Sequence, residues 1–268
     1  MLLDRSSAGL RVHLDRLATS RELVDGTVRG GLRGSVGSAG PERDLVGTYG
    51  GPVYLVSERF IDVLRTHELD GWRVEVAGVD LWSHGLRAVG TQLGVDPVPY
   101  RLDYWLDATD DFITRSVEVE ASGDGWRRRL LLSRDQSGNW RSESTEEGKV
   151  DLPRVGGDVE ALRSARDCDL AFSPLTNTMP IRRHALHVRP GAVDYLMAWV
   201  SVPDLGLRAS RQRYEHVRRQ AEEAVVRYVD IGAHRGFTSE LVLDQDGLVL
   251  VYPHLARRVE RPEDAETR

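Results

Sequence analysis

The sequence predicts a mainly β protein built around an antiparallel sheet, with a few short helices. In several stretches, such as residues 100–106, apolar and polar residues alternate with a period of two, which is typical of strands with one buried face. Two short polar sequences, Asp135–Gly138 and Asp244–Gly247, have the composition of hairpin turns. The chain has 268 residues, of which 40% are hydrophobic and 29% are charged, so it can fold around a core.

The first 71 residues are predicted to stand apart from the sheet. Glycine, serine and proline recur in Gly30–Pro41, so residues 1–45 are expected to form a flexible extension. A phosphate-binding loop is not favoured there, because the lysine and the flanking strand that it requires are missing. Residues 46–71 are predicted to be a helical lead-in, with a helix over Ser57–Leu69.

The remaining chain is predicted to supply the strands. Residues 148–165 are polar and indicate a loop with a short helical piece, and residues 260–268 form a charged tail. Prolines bracket Ser173–Arg183, so a short helical turn or a tight irregular segment is predicted there rather than a central strand. Alternation predicts strands at 72–76, 100–106, 113–119, 126–133, 195–202, 222–230, 237–243 and 248–252.

Charge and hydropathy narrow the function classes. The chain has 36 Lys and Arg against 42 Asp and Glu, a formal net charge of −6, which does not favour nucleic-acid binding. In the basic run Arg127–Arg129, neighbours on a strand would point to opposite faces. No apolar run approaches the ~18 residues of a membrane-spanning helix, and the first residues lack the apolar stretch of a secretory signal. We therefore expect a cytoplasmic protein with neither a nucleic-acid partner nor a membrane span.

Residue types that carry catalysis or bind metals are sparse. Cys168 is the single cysteine, which excludes an intramolecular disulfide, and its two flanking aspartates predict a buried, unreactive thiol. His184 and His187 lack an evident third metal ligand. The carboxylates of Asp103–Asp111 are predicted to lie at a solvated hairpin turn rather than to act in glycoside hydrolysis. We predict no catalytic residue, no metal and no cofactor.

Four segments of the sequence form a recognisable pattern, of which Thr176–Arg183 is the most specific. In this order they resemble the bacterial glycolipid-binding family from about Trp72 to Arg258. The four are Gly90–Gly94 with Pro99–Tyr104 and Thr114–Arg115, then Ser137–Trp140, then Cys168–Leu170 with Pro174–Arg183, and last Gln212–Tyr214 with Asp244–Val249 and Tyr252–Pro253.

The resemblance implies a spiral β-roll over residues 72–259, in which a strongly curved antiparallel sheet encloses helical segments. It also implies an architectural likeness to periplasmic lipoprotein carriers and a lipid or glycolipid partner. An enzyme or accessory factor of glycolipid or carbohydrate metabolism remains the alternative. In such a roll, a concave apolar face could bury acyl chains, lined by Leu102, Tyr104, Trp140, Tyr195, Met197, Trp199 and Phe237.

Polar residues of the matching segments are the candidate ligand-binding residues, although they could equally hold the proline-bracketed segment in place. Neighbouring Arg182 and Arg183 cannot point the same way, so we expect one to form a buried ion pair and the other to approach a cavity mouth. The full candidate set is Tyr104, Arg115, Trp140, Thr176, Asn177, Thr178, Arg182, Arg183, Tyr214 and Tyr252.

Overall fold

The computed structural model of the protein describes residues 53–56, 73–108, 111–232 and 236–259. The flexible extension, the helix predicted over Ser57–Leu69 and the charged tail lie outside the described residues. The four residues 53–56 form a strand, which corrects the prediction that residues 46–71 are a helical lead-in at that point.

The described residues form one curled sheet of fifteen strands. The strands are β1 (Val53–Val56), β2 (Arg73–Trp82), β3 (Gly85–Gly94), β4 (Tyr100–Ala108), β5 (Ser116–Gly123), β6 (Trp126–Arg134), β7 (Trp140–Gly148), β8 (Gly156–Gly157), β9 (Asp167–Leu170), β10 (Ala192–Val200), β11 (Gly206–Gln220), β12 (Glu223–Asp230), β13 (Thr238–Leu243), β14 (Val249–Tyr252) and β15 (Ala256–Val259). Neighbours along the sheet follow the order β7-β6-β5-β4-β3-β2-β1-β15-β14-β13-β12-β11-β10-β9, and β8 pairs with β11. The pairings are antiparallel except for β9 with β10 and β8 with β11.

The alternation that predicted the strands matches their burial. Along β4, every second residue from Tyr100 to Ala108 is buried, while those between are half-buried, as expected for a sheet with one face on the core. Both predicted hairpin turns are present, and Gly138 and Gly247 close them with φ values of +89° and +77°. Glycine adopts this left-handed conformation without the steric cost of a Cβ.

The prediction also missed strands. The strands β1, β3, β7, β8, β9, β11 and β15 were not predicted, and the strand expected over 113–119 begins only at Ser116. Before it, Asp111 and Phe112 both have positive φ, and their amides donate to the carbonyl of His84. The carboxylate-rich stretch thus ends in a turn tied to the β2–β3 hairpin.

The proline-bracketed segment is helical, as predicted. It consists of the 3₁₀ helix η2 (Pro174–Asn177) followed by the α-helix α1 (Thr178–Arg183), and a further 3₁₀ turn, η1 (Glu160–Leu162), precedes β9. Within the described ranges, the longest helix has six residues, too short and too polar to cross a bilayer. Every residue of Pro174–Ile181 is buried, so the sheet encloses this segment.

Two apolar cores lie on the two sides of the segment. Leu175 and Met179 belong to the first core with the side chains of β4–β7, while Ile181 belongs to the second core with those of β10–β15. Strand β10 contributes to both, since Met197 lies in the second core and Ala198 in the first. Successive strand residues point to opposite faces, so β10 is covered on both sides. This overlap of the sheet with itself confirms the spiral roll.

Candidate ligand-binding site

A cavity of about 270 Å³ opens on the sheet face that carries the second core. Five of its lining residues come from β11 and β12, and the other two from β10 and the segment before β13. They are Trp199, Arg208, Ala209, Ser210, Tyr228, Asp230 and Phe237.

Strand pairing explains why these side chains meet. Trp199 on β10 is opposite Arg208 on β11, and Tyr228 on β12 is opposite Tyr214 on β11. Arg208, Ser210 and Tyr214 occupy alternate positions of β11, so they share one face. Tyr214 is buried in the second core. The cavity therefore lies on the same face of the sheet as the second core, beyond the enclosed segment.

The lining combines aromatic surfaces with charged and polar groups. The guanidinium of Arg208 lies 3.9 Å from the centre of the Trp199 ring, a cation–π arrangement. The rings of Tyr228 and Phe237 meet edge to face with centres 6.0 Å apart, and Phe237 is 46% exposed, unusual for a large apolar side chain. Asp230 is 6% exposed and accepts a 2.7 Å hydrogen bond from the Gly232 amide.

Behind the cavity, a buried hydrogen-bond network supports its floor. The Gln212 amide nitrogen donates to Asp169 Oδ2 at 2.6 Å and to Ser210 Oγ at 3.3 Å, and Thr176 Oγ1 donates to Asp169 Oδ1 at 2.9 Å. Burial raises the pKa of Asp169, and its bonds with Gln212 and Thr176 oppose the rise. The Ser210 hydroxyl that faces the cavity is therefore fixed by residues that a ligand does not reach.

Tyr214 extends this network to the helical segment. Its hydroxyl lies 2.9 Å from Asn177 Oδ1 and 3.0 Å from Gln212 Oε1, and the Asn177 amide donates to the Pro174 carbonyl at 3.1 Å. Burial raises the pKa of the Tyr214 phenol well above its ordinary value, so the phenol stays a neutral donor. The ring also meets Tyr228 edge to face, with centres 5.5 Å apart, which links the network to the cavity wall.

Four predicted site residues thus come together, although none lines the cavity. Thr176, Asn177 and Tyr214 belong to the network, and the Tyr252 ring lies 6.1 Å from that of Tyr228. Their placement is one layer behind the cavity, where they hold its walls. Direct contact of these four with a ligand is not what the geometry favours.

The other predicted residues lie elsewhere. Tyr104, Trp140 and Thr178 are buried, and the Trp140 indole donates to the Ala165 carbonyl at 3.0 Å. Arg115 is exposed just before β5. Among the residues expected to line an acyl-chain cavity, five lie in the packed cores instead, and only Trp199 and Phe237 face the cavity. The five are Leu102, Tyr104, Trp140, Tyr195 and Met197.

Of the two neighbouring arginines, one forms a buried ion pair, as predicted, but the other does not reach the cavity. Arg183 forms a buried ion pair with Asp167, in which the two side chains are 2% and 0% exposed, and it donates to the carbonyls of Asp111 and Phe112. Its donors are used within the fold, so its assignment as a ligand-binding residue is corrected to a structural one. Arg182 donates to the Asp246 carbonyl at 2.6 Å, across the β13–β14 turn, and it is not among the residues that line the cavity.

Sequence reasoning missed most of the cavity. Arg208 and Ser210 were not candidates, because β11 itself was not predicted, and Tyr228 and Asp230 were not candidates although their strand, β12, was predicted. The available signal was the alternation of Arg208, Ser210, Gln212 and Tyr214, which places four polar residues on one face. Arginines at intervening positions, such as Arg211, hide this alternation.

The other candidate chemistries find no support. Cys168 is a buried free thiol, and burial together with its flanking aspartates raises its pKa well above the ordinary value, as predicted. His184 caps the C-terminus of α1. No cluster of three or more metal-ligating side chains occurs in the part of the chain that the structure describes.

A larger open cleft of about 540 Å³ lies beside β7. Its lining is the mostly exposed run from Glu146 to Asp151, which includes Lys149, together with the buried Arg128. The Arg128 guanidinium already donates to the carbonyls of Leu152, Pro153 and Asp204. The Arg128 cation is thus used inside the fold, and no aromatic ring is among the residues that line the cleft, so the cleft offers less for recognition than the smaller cavity.

The sequence model of a protein family described as "Putative glycolipid-binding" matches residues 65–258. The chain belongs to this glycolipid-binding family. The match runs from before β2 into β15 and includes every residue that lines the 270 Å³ cavity. The family predicted from the motifs is thereby confirmed.

Solved structures also resemble this glycolipid-binding family member. A DUF1089 family protein from Pseudomonas aeruginosa is 26% identical, with a TM-score of 0.52, and the match covers 69% of this chain and 92% of that one. A β-barrel-like protein of the domain of unknown function DUF1849 from Brucella abortus is 6% identical, with a TM-score of 0.40, over 78% of this chain and 95% of its own. No curated protein matches the sequence. The Pseudomonas structure agrees with the curled β architecture described above.

Proposed function

We propose that the protein binds a glycolipid and holds its carbohydrate headgroup in the cavity between β10, β11 and β12. The observation that carries this proposal is the combination of an exposed aromatic ring, Phe237, with a fixed carboxylate and a fixed hydroxyl. A sugar has C–H faces that pack on flat rings such as the exposed ring of Phe237, and edge hydroxyls that need hydrogen-bond partners. Asp230 and Ser210 supply such partners at one wall of the cavity.

Cavity size supports a headgroup rather than whole acyl chains as the enclosed part. Sites for drug-sized ligands measure roughly 300–1,000 Å³, and this cavity is about 270 Å³. Five of the seven apolar residues expected to hold acyl chains are packed in the two cores. In the proposal, the acyl chains therefore leave the cavity past the exposed ring of Phe237, towards a bilayer or a partner.

The carboxylates near the cavity favour binding without catalysis. Glycoside hydrolysis uses two carboxylates on opposite sides of the bond that breaks. Among the carboxylates of the described residues, only Asp230 lines the cavity, whereas Asp169 is enclosed by Gln212 and Thr176. A cytoplasmic location belongs to the same proposal.

The test compares amphiphiles that share a chain and differ in the headgroup. Octyl β-D-glucoside and pentaethylene glycol monooctyl ether would be titrated below their micellar concentrations and followed by calorimetry. We expect the glucoside to bind more tightly, and Phe237→Ala to weaken it roughly three- to tenfold by removing an aromatic contact. Trp82→Ala is the matched control, since Trp82 is also an exposed aromatic residue, at 38%, and does not line the cavity.

Two outcomes would overturn the proposal. Equal affinity for both amphiphiles would show that the headgroup is not recognised, and equal loss in both variants would show that the contact is not at this cavity. Native mass spectrometry of the purified protein, with extraction of co-purified lipid, identifies the natural ligand class. The extract should contain a sugar-bearing lipid that is depleted in the Phe237→Ala protein and retained by Trp82→Ala.

A further inference from the structure

Arg208 is a cation of the cavity that the fold does not use. Among the described residues, its contact is the 3.9 Å stacking on Trp199, and no hydrogen bond or ion pair joins it to another of them. Many other arginines of the sheet are paired, as Arg227 is with Glu215 and Glu240. Since an exposed arginine at a ligand cavity is an anion-binding group by its chemistry, its spare donors call for a partner.

The stacking fixes how Arg208 offers those donors. A guanidinium is planar, and its five N–H groups lie in the plane, around the edge. With one face on the indole of Trp199, the edge remains available and already oriented. A planar edge with two parallel N–H groups matches the two oxygens of a phosphate or carboxylate. The ordered stack also lowers the entropy that binding would cost.

The carboxylate of the cavity does not cancel this cation. Asp230 is opposite Gln212 in the β11–β12 register, four residues along the strand from Arg208. At about 3.4 Å per residue, the two positions are separated by roughly 13 Å of strand. Asp230 also accepts the Gly232 amide at 2.7 Å. The cavity therefore has a hydroxyl-binding end at Asp230 and Ser210, and an anion-binding end at Arg208.

We propose that the headgroup held in this cavity is anionic, and that its phosphate or carboxylate pairs with the in-plane N–H groups of Arg208 while its sugar hydroxyls face Ser210 and Asp230. This inference rests on the proposed function and specifies its ligand class. Neutral glycolipids are accordingly the poorer ligands, and anionic ones such as sugar phosphates or uronates the better.

The test uses three soluble probes and three proteins. Glucose 1-phosphate, methyl α-D-glucoside and inorganic phosphate would each be titrated into the full chain, Arg208→Gln and Arg211→Gln, with ligand-observed NMR or calorimetry. Arg211 is the matched control, because it is exposed on the same strand, lies on the opposite face by alternation and loses the same charge. We expect glucose 1-phosphate to bind roughly tenfold more tightly than the methyl glucoside. Arg208→Gln should abolish that difference, and Arg211→Gln should leave it intact.

Each other outcome overturns a defined claim. If both sugars bind equally, or if Arg208→Gln keeps the preference, the anionic headgroup is wrong and the carbohydrate site stands. If inorganic phosphate binds as tightly as glucose 1-phosphate, the cavity recognises the anion without the sugar, and the proposed function fails. If no probe binds, both proposals fail. An unchanged melting temperature of the Arg208→Gln protein confirms that the lost affinity is not a loss of fold.

Discussion

Two stacked arginines show how the two halves of the roll differ. Arg73 on β2 lies 3.7 Å from the Phe172 ring, and Arg208 on β11 lies 3.9 Å from the Trp199 ring. Arg73 is 8% exposed and donates to the Tyr100 hydroxyl and the Asp96 carbonyl, whereas Arg208 is exposed with its N–H groups available. An arginine stacked on an aromatic ring is thus a structural clamp in one half of the roll and a candidate ligand contact in the other.

Whether an arginine of the sheet is a structural clamp or a candidate ligand contact depends on whether the chain before α1 covers that part of the sheet. Over β2 and β3, Gln92 donates to the Ala171 carbonyl and to buried Glu75, both at 3.4 Å, so the covering chain uses the polar groups of the sheet. Over β11 and β12, that chain reaches Gln212 through Asp169 and stops short of Ser210 and Asp230. A buried polar group without a hydrogen-bond partner would be costly. Ser210 and Asp230, which the covering chain does not reach, therefore face a cavity. We infer that ligand recognition is confined to the second half.

The largest expected effect comes from the ion pair that fixes the covering segment. Arg183→Ala would leave the buried carboxylate of Asp167 without its partner, and we expect a loss of about 3–5 kcal/mol in the free energy of unfolding. At this chain length, the melting temperature should fall by about 6 °C or more. Arg182→Ala is the adjacent control and should cost about 1 kcal/mol, since Arg182 is in no ion pair with a described residue: it donates to the Asp246 and Trp82 carbonyls and lies 5.3 Å from the centre of the Phe112 ring. Thermal melts that fall equally in both variants would contradict the assignment of Arg183 as the clamp.

The next effect concerns the pH dependence of the closed half. Complete burial raises the pKa of Glu75 from 4.5 to about 7, and the neighbouring polar groups of Ser173, Tyr104 and Gln92 oppose this only in part. The folded state then binds a proton that the unfolded state has released, so stability should fall as pH rises from about 5 to about 7. Because one pKa unit corresponds to 1.36 kcal/mol, the loss is at most about 3 kcal/mol.

Glu75→Gln tests both the raised pKa of Glu75 and the difference between the two halves of the roll. The amide remains neutral at all pH values, so the variant should be more stable than the parent chain at pH 8, by about 1–3 kcal/mol, and similar to it at pH 5. Chemical denaturation at both pH values measures the difference, with exposed Glu222→Gln as the control for loss of one charge. Ligand affinity at the cavity should not change. A weaker ligand in Glu75→Gln would mean that the closed half takes part in binding.

A smaller effect is expected from the network behind the cavity. Tyr214→Phe would leave the buried oxygens of Asn177 and Gln212 without the phenol hydroxyl, at a cost of about 1–3 kcal/mol. It should also weaken sugar binding, because Gln212 positions Ser210. Tyr252→Phe is the matched control in the same core, since no hydrogen bond joins its hydroxyl to another described residue. If the two variants behave alike in melts and titrations, the network does not support the site.

Local sequence was sufficient for the fold where one face of a strand is apolar. Alternation found β4, β6 and β12, and two prolines marked η2 and α1. It failed at β7, where residues 141–148 are exposed on both faces, because a strand at the sheet edge beyond the core needs no apolar face. It failed again at β11, where arginines occupy both faces.

The site was less predictable than the fold, for a topological reason. The motif Thr176–Arg183 was recognised as the most specific segment, but its residues Thr176–Ile181 are buried and hold the covering segment. The cavity depends on the register that places Trp199 opposite Arg208, together with the point at which the cover ends. Both are set by contacts between distant parts of the chain, which a single sequence does not show.

The smallest expected effect comes from Cys168, on one face of strand β9. On β9, Cys168 lies in the first core, while its neighbour Asp169 serves the network behind the cavity. Cys168→Ala removes one sulfur from the closed side and should cost only about 1 kcal/mol, with sugar affinity unchanged. Cys168→Ser should cost more, because its hydroxyl would be buried among apolar side chains. Since the thiol is fully buried and its pKa is raised, thiol reagents at pH 7 should label the native protein no faster than it unfolds. Fast labelling, or a Ser variant as stable as the Ala variant, would show that water reaches β9 from the closed side and that the two halves are not separated there.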